Sequence, residues 1–170
     1  MAAHNERRQK YHTRWGVEYV PLQWSPQLSA DAERWANQLL SRCEYTKGSL
    51  KHEPNVEEGE NLANNKGTGS WATQRPADAI LQRWVEDELS VGYPNNAHMT
   101  QVLWRASRYV GCGDASKPYS GGTCRVQVCR YAKAGNCGMG QTAMIGSNWK
   151  TPMLADDSNC APECAPEGCW

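Results

Sequence analysis

Eight cysteines in a chain of 170 residues constrain this sequence more than any other feature. The number is even, and it is higher than an ordinary cytosolic domain of this size carries. No two cysteines form the C-x-x-C pair that a structural zinc site usually contains, which disfavours a zinc-cysteine fold. We therefore expect a disulfide-stabilised chain from an oxidising, extracellular compartment, although eight cysteines allow roughly a hundred complete pairings.

The start of the chain and its charge narrow the class of protein further. The opening residues 1–5 run directly into charged positions and show no signal-peptide pattern, so we expect a mature secreted chain with an added methionine. Lysine and arginine together number 18, as do aspartate and glutamate, and a net charge of zero argues against a nucleic-acid partner. No apolar run approaches the ~20 residues of a membrane span.

Hydrophobic periodicity and end signals predict helices in four places. Residues 4–15 have the pattern of a polar first helix. Ser25 is a predicted N-cap followed by proline, and the apolar spacing behind it predicts an amphipathic helix over 26–43. A third helix restarts at Pro76, and a short helix or turn is predicted at 97–106.

The segments between these helices predict a loop and two late strands. Residues 49–75 have the glycine, proline and asparagine content of a long polar loop. Short strands are predicted at 110–113 and 124–131, and in the second the valines face away from Cys129 and Tyr131. Because the helices come first and the strands are late and short, we expect an α+β fold.

The last part of the chain changes in composition. Residues 138–170 are rich in glycine, proline, serine and aspartate and have no periodicity. Cys160, Cys164 and Cys169 stand close together there. We therefore expect this segment to be a tail pinned by disulfides rather than a second domain.

Four short motifs stand in a fixed order along the chain: GENL at 59–62, HMTQVLW at 98–104, VGCG at 110–113 and CRY at 129–131. Together they resemble the signatures of the CAP superfamily, which comprises cysteine-rich secretory proteins, antigen 5 and plant pathogenesis-related proteins. The resemblance covers roughly residues 4–137. It implies an SCP domain at 1–137, followed by the tail at 138–170.

The resemblance also implies the architecture of the domain. We expect a three-layer α-β-α sandwich with a small, mostly antiparallel sheet. The helix at 26–43 should cover one face of this sheet, and the helix that contains Trp84 should cover the other.

A cleft with two histidines and two acidic residues follows from the same resemblance. Matched motif by motif, its four members are His52, Glu60, Asp87 and His98, with Glu88 and Gln101 beside them. Neutral imidazoles are good ligands for zinc or copper, and carboxylates can bind directly or fix each ring's tautomer. We therefore expect Zn²⁺ or another divalent cation here, with Glu60 orienting one ring and Asp87 the other.

Structural roles for the same side chains remain open. His52 is a loop histidine of a kind that commonly has no partner. His98 and Gln101 lie one helical turn apart and could crosslink the core. Glu60 could be a buried acid bonded to backbone N–H groups, which would make the four residues a hydrogen-bond network instead of a metal site.

The resemblance implies a lipid partner and a disulfide pattern as well. Trp71 lies in the glycine-rich segment after GENL, and a sterol or fatty-acid site is expected near 63–75 and the Trp84 helix. The implied disulfides are Cys43–Cys124 and Cys112–Cys129. The remaining four cysteines, Cys137, Cys160, Cys164 and Cys169, fall to the tail, where Cys137 is assigned to Cys160 and no other pair is assigned.

Two classes of function fit these expectations. The first is a secreted, monomeric, non-catalytic binding protein with a cation cleft and a lipid groove, acting in defence or extracellular signalling. The alternative is a metal-dependent hydrolase or protease that uses the same cleft. The sequence has neither an H-E-x-x-H helix nor a G-x-S-x-G elbow, and this favours binding over catalysis.

Overall fold

A four-stranded sheet organises the described part of the chain, residues 1–43, 50–69, 76–139 and 148–169 of a computed structural model. Its strands are β1 (Gln23–Trp24), β2 (Gly59–Gly67), β3 (Tyr109–Tyr119) and β4 (Gly122–Ala132). Their order is β1-β3-β4-β2, with β1 parallel to β3 and the other neighbours antiparallel. The expectation of a small, mostly antiparallel sheet is therefore confirmed, and β2 lies at one edge.

Helices cover both faces of the sheet. They are α1 (Ala2–Arg14), α2 (Pro26–Leu39), α3 (Ala77–Trp84), α4 (Ala97–Val102) and α5 (Lys150–Met153). One buried cluster joins α2 to the first face: Ala32, Ala36, Leu39, Val126 and Val128. A second joins α1, α3 and α4 to the other face: Tyr11, Leu81, Trp84, Val102, Val110 and Tyr131. The predicted α-β-α sandwich is confirmed.

Two features of the sequence fix the position of α2 on the sheet. Ser25 Oγ accepts a hydrogen bond from Leu28 N at 3.0 Å, and Pro26 occupies the first helical position, as predicted. On the sheet below, a Cβ atom at Gly111 or Gly113 would collide with the backbone of α2. The glycines of the VGCG motif therefore let α2 lie directly on β3.

The predicted polar loop at 49–75 is wrong over its central part, where Gly59–Gly67 forms β2 and pairs along its whole length with β4. The strand is polar because Asn61 and Asn65 face inward, and their amides donate to His98 O and Gln127 Oε1. Bonded amides remove the cost of burying these polar groups. Residues 70–75 lie outside the described part.

Four disulfides link the cysteines: Cys43–Cys124, Cys112–Cys129, Cys137–Cys160 and Cys164–Cys169. The pairs implied by the resemblance, Cys43–Cys124 and Cys112–Cys129, are confirmed, as is the assignment of Cys137 to Cys160. Cys112 and Cys129 are directly opposite each other on β3 and β4, with Cα atoms 4.1 Å apart. Cys43–Cys124 ties the segment after α2 to the sheet that α2 covers.

The described part of the tail, residues 148–169, packs against the domain. Trp149 and Met153 are buried in the same cluster as Tyr11 and Trp84. Arg105 N donates to Met153 O at 2.8 Å. Within the described ranges, every helix is too short or too polar to cross a membrane.

Candidate functional site

His52 and Glu60 form the first of two histidine-carboxylate pairs. The His52 Nδ1 and Glu60 Oε1 atoms lie 2.7 Å apart, and Glu60 Oε1 also accepts from Glu53 N at 3.2 Å. The His52 side chain is 67% exposed, whereas that of Glu60 is only 4% exposed. Because the bond occupies Nδ1, it leaves Nε2 as the ring nitrogen for a ligand. Glu60 thus contacts the ring of His52, the histidine to which the resemblance assigned it.

His98 and Glu88 form the second pair, which corrects the prediction for Asp87. The His98 Nδ1 and Glu88 Oε1 atoms lie 2.6 Å apart, and Glu88 Oε2 accepts from Met99 N at 3.0 Å. The ring of His98 stacks on Trp84, with centroids 6.2 Å apart and planes inclined by 12°. This carboxylate and this indole together fix the plane of the imidazole.

Asp87 fails to reach His98 because the helix does not continue through it. Val85, with φ −113° and ψ −67°, ends α3, and residues Glu86–Glu88 form a 3-10 turn. The family register counts three residues on from Trp84, so it pointed to Asp87 instead of Glu88. Asp87 Oδ1 instead accepts a hydrogen bond from Gln82 Nε2 at 3.4 Å.

Both pairs meet the edge strand β2 at adjacent residues. Glu60 faces the α2 side of the sheet, while the next residue, Asn61, faces the other side and donates to His98 O at 3.1 Å. Successive side chains of a strand point to opposite faces, so the side chains of Glu60 and Asn61 lie on opposite sides of β2. Each pair presents an imidazole Nε2, backed by a carboxylate on Nδ1.

The donor atoms of the first pair suit a cation. Glu60 Oε2 is buried and has no hydrogen-bond partner within the described residues, and the nearest cationic group is Arg130 Nη2 at 3.5 Å. A buried carboxylate oxygen without a bond is costly unless something else compensates it. Imidazole Nε2 and carboxylate oxygen are the atoms zinc takes as ligands, so these residues fit the implied ion.

A salt-bridge network lies behind this pair, and the sequence reading missed it. Arg130 is 2% exposed and contacts Glu53 with a short ion pair, and Glu53 also binds Arg34 with two bonds of 2.7 and 3.0 Å. Partial burial acts to raise the pKa of Glu53, but the two arginines outweigh it and lower that pKa below its ordinary value. The sequence feature that could have predicted this network is Arg130, an arginine between Cys129 and Tyr131 in a buried strand.

Gln101 crosslinks the core, the structural role that the sequence left open. Its Oε1 accepts from Gly135 N at 2.8 Å. Its amide lies over Gly59, where a Cβ atom would collide with it. The first glycine of the GENL motif therefore makes room for a side chain of α4.

Potential metal ligands also gather on the other face of the sheet. Among the described residues, one group of three has ligand atoms within 4.8 Å of one another: His4, Cys112 and Cys129. The cysteines of this group form a disulfide, whereas metals bind the thiolate form. Among the described residues, neither His52 nor His98 belongs to a group of three or more such ligands.

A cavity of about 220 Å³ lies between α1, α3 and the sheet. Its wall includes Trp24, Ile80, Leu81 and Trp84 and the Cys112–Cys129 disulfide. Four polar side chains also reach it: His4, Asp114, Arg125 and Gln127. Trp71, predicted as a lipid contact, lies outside the described residues.

His4 is the most deeply buried titratable group at this cavity. Burial is the main cause that lowers its pKa to about 3, and the charges of Arg8 and Arg7 add to the effect. Its Nε2 lies 2.9 Å from the hydroxyl of Tyr131, whose own pKa is raised by burial. A neutral imidazole at His4 adds no charge to the wall of the cavity.

Comparison with known proteins places this geometry in a family. Human cysteine-rich secretory protein 3 is 28% identical over 88% of this chain and 60% of its own length. Pathogenesis-related protein 1A of Nicotiana tabacum is 33% identical over 80% of this chain and 74% of its own. The chain thus spans about three fifths of the human relative.

Solved structures share the fold. NaASP2, crystallised with Zn²⁺, has a TM-score of 0.50 and 20% identity, covering 79% of this chain and 77% of its own. The sequence model of the CAP, or cysteine-rich secretory protein, family matches residues 1–131. Because this match covers more than half of the chain, the chain belongs to the CAP family.

Proposed function

We propose that this chain is a secreted, non-catalytic binding protein that takes an apolar ligand of the sterol or fatty-acid class. The cavity of about 220 Å³ between α1, α3 and the sheet carries the proposal. Ile80, Leu81 and Trp84 line it, and all three are at least 96% buried. Ligand pockets combine such apolar walls with a few polar groups.

Filling the cavity tests this proposal. Ile80→Phe places extra volume in the wall, and we expect it to weaken binding of a radiolabelled fatty acid or sterol at least tenfold. Val91→Phe is the matched control, because Val91 is 38% exposed and lies outside the cavity wall. Equal affinity in the two variants, or no saturable binding by the wild type, would refute the proposal.

A divalent cation is the second proposed ligand. The supporting observation is that both exposed histidines have Nδ1 bound to a carboxylate, which leaves each Nε2 as the available ligand atom. Since neither histidine belongs to a group of three protein ligands among the described residues, water or a second ligand molecule must complete the coordination. Protonation of the ring removes the ligand, so binding weakens in acid.

Zinc calorimetry at neutral pH tests the cation site with neighbouring acids as variant and control. Glu88→Gln removes the carboxylate that holds His98, and we expect tenfold or greater loss of zinc affinity. Asp87→Asn makes the same chemical change one residue away and should leave the affinity within twofold. His98→Ala should abolish binding at that pair. Equal affinity in wild type and His98→Ala would mean that His98 has a structural role only.

Secretion is part of the same proposal. The four disulfides need an oxidising compartment to form and persist. The relatives include proteins named as secretory. We expect the natural protein to be recovered from the extracellular fraction without a free thiol, and a thiol assay under denaturing conditions checks this.

A further inference from the structure

Three side chains form a hydrogen-bond relay that ends at the cavity. Arg83 Nη1 of α3 donates to Asn65 Oδ1 at 2.9 Å, and Asn65 Nδ2 donates to Gln127 Oε1 at 2.8 Å. Asn65 is 4% exposed and Gln127 is 9% exposed. Gln127 lines the cavity, on the same face of β4 as Cys129.

The direction of this relay has one solution. A guanidinium group has donors and no acceptor, so the Asn65 atom that faces Arg83 must be its carbonyl oxygen. The other end of the Asn65 amide is therefore the NH₂ group, and it requires an acceptor on Gln127. Gln127 Oε1 fills that role, which leaves its Nε2 group, with two N–H donors, as the free end of the relay.

The free end faces the cavity. Among the described residues, the buried polar atoms without a partner do not include Gln127 Nε2. Gln127 itself lies in the cavity wall. The other polar groups of the wall are already paired: His4 with the Tyr131 hydroxyl, and Arg125 Nε with Asp114 Oδ2 at 2.8 Å. The amide of Gln127 thus supplies an N–H donor in the wall of the cavity.

We propose that the Arg83–Asn65–Gln127 relay sets the specificity of the cavity, and that it selects apolar ligands whose head group accepts hydrogen bonds, above all carboxylates. This inference rests on the proposed binding of an apolar ligand. A carboxylate accepts from an N–H group and has no donor that the relay must match. An alkylammonium head group only donates, so it would meet the N–H donors of Gln127 without an acceptor.

Reversing the relay from a distance tests this proposal. Asn65→Asp keeps the shape of the side chain but removes its N–H donors, so Gln127 must turn its amide and donate to the new carboxylate. The cavity then receives Oε1, an acceptor. Asn64→Asp is the matched control, because it adds the same charge at the next residue, on the opposite face of β2.

Calorimetry with laurate and dodecylamine, which share one chain length, measures the effect. Wild type should bind laurate at least tenfold more tightly than the amine, in line with the strength of a hydrogen bond to a charged group. Asn65→Asp should reverse this preference, while Asn64→Asp should keep it. Gln127→Leu, which adds no charge and removes the donor, should weaken laurate about tenfold and leave the amine unchanged.

Each result has a definite meaning. If both probes bind the wild type and Asn65→Asp leaves their ratio unchanged, the relay is refuted while the lipid-binding proposal stands. If the wild type binds neither probe, the relay and the fatty-acid part of the lipid-binding proposal are both refuted. If Asn65→Asp does not fold, as judged by circular dichroism, Gln127→Leu decides alone, and an unchanged laurate affinity in that variant overturns the relay.

Discussion

As the pH falls, two buried histidines should lower the stability of this fold at a higher pH than the one at which the carboxylates take up protons. Burial lowers the pKa of His4 to about 3 and that of His12 to about 4, and the charge of Arg8 adds to both shifts. In the unfolded chain both rings return to about 6.5. The folded state therefore does not bind protons that the unfolded state binds. As a result, the free energy of unfolding decreases as the pH falls below about 6.5.

The magnitude follows from the size of the pH step. At about pH 5, each ring lowers the free energy of unfolding by about 2 kcal/mol relative to pH 8, because 1 pH unit corresponds to about 1.4 kcal/mol. The two rings together cost about 4 kcal/mol, a large part of the 5–15 kcal/mol typical of a folded domain. The loss continues to about pH 4 for His12 and about pH 3 for His4.

Urea unfolding at about pH 7.5 and about pH 5, followed by tryptophan fluorescence, measures this loss. The matched protein is the double variant His4→Gln and His12→Gln, which keeps hydrogen-bonding atoms at both positions but cannot take up a proton there. We expect the wild type to lose about 4 kcal/mol between the two conditions and the variant to lose less than about 1 kcal/mol. An equal loss in both proteins would refute the assignment to these rings.

Three further predictions concern the scaffold and the lipid site. Ser25→Ala removes the cap of α2 and should lower the free energy of unfolding by about 1 kcal/mol, measured in urea. Gly113→Ala drives a Cβ atom into the backbone of α2, and we expect a loss of about 2 kcal/mol or more, with the same assay. Trp71→Ala should weaken sterol binding without changing the melting temperature; unchanged binding would exclude a contact at that position.

Local signals predicted the elements that local interactions decide. Ser25 with Pro26 and the spacing of apolar residues placed α2 within its observed limits, apart from its last turn. The alternation around Cys129 placed β4 and its two faces. Capping and periodicity act within a few residues, so a single sequence carries them.

The errors came from tertiary interactions. Strand β2 was missed because its inward positions hold asparagines, whose amides are satisfied only by partners far away in sequence. Glu88 replaced Asp87 because a change of backbone direction at Val85 cannot be read from side-chain types. The relay to Gln127 joins three elements that are far apart in sequence, so no spacing of residues along the chain predicts it.

The packing of the tail bears on how the whole molecule unfolds. Trp149 and Met153 complete the apolar cluster that holds α1 and α3, and the Arg105 amide depends on Met153 O. We therefore expect the tail at 138–170 and the domain at 1–137 to unfold together. We expect a single calorimetric transition and an Arg105 amide proton that exchanges with deuterium only when the entire chain opens.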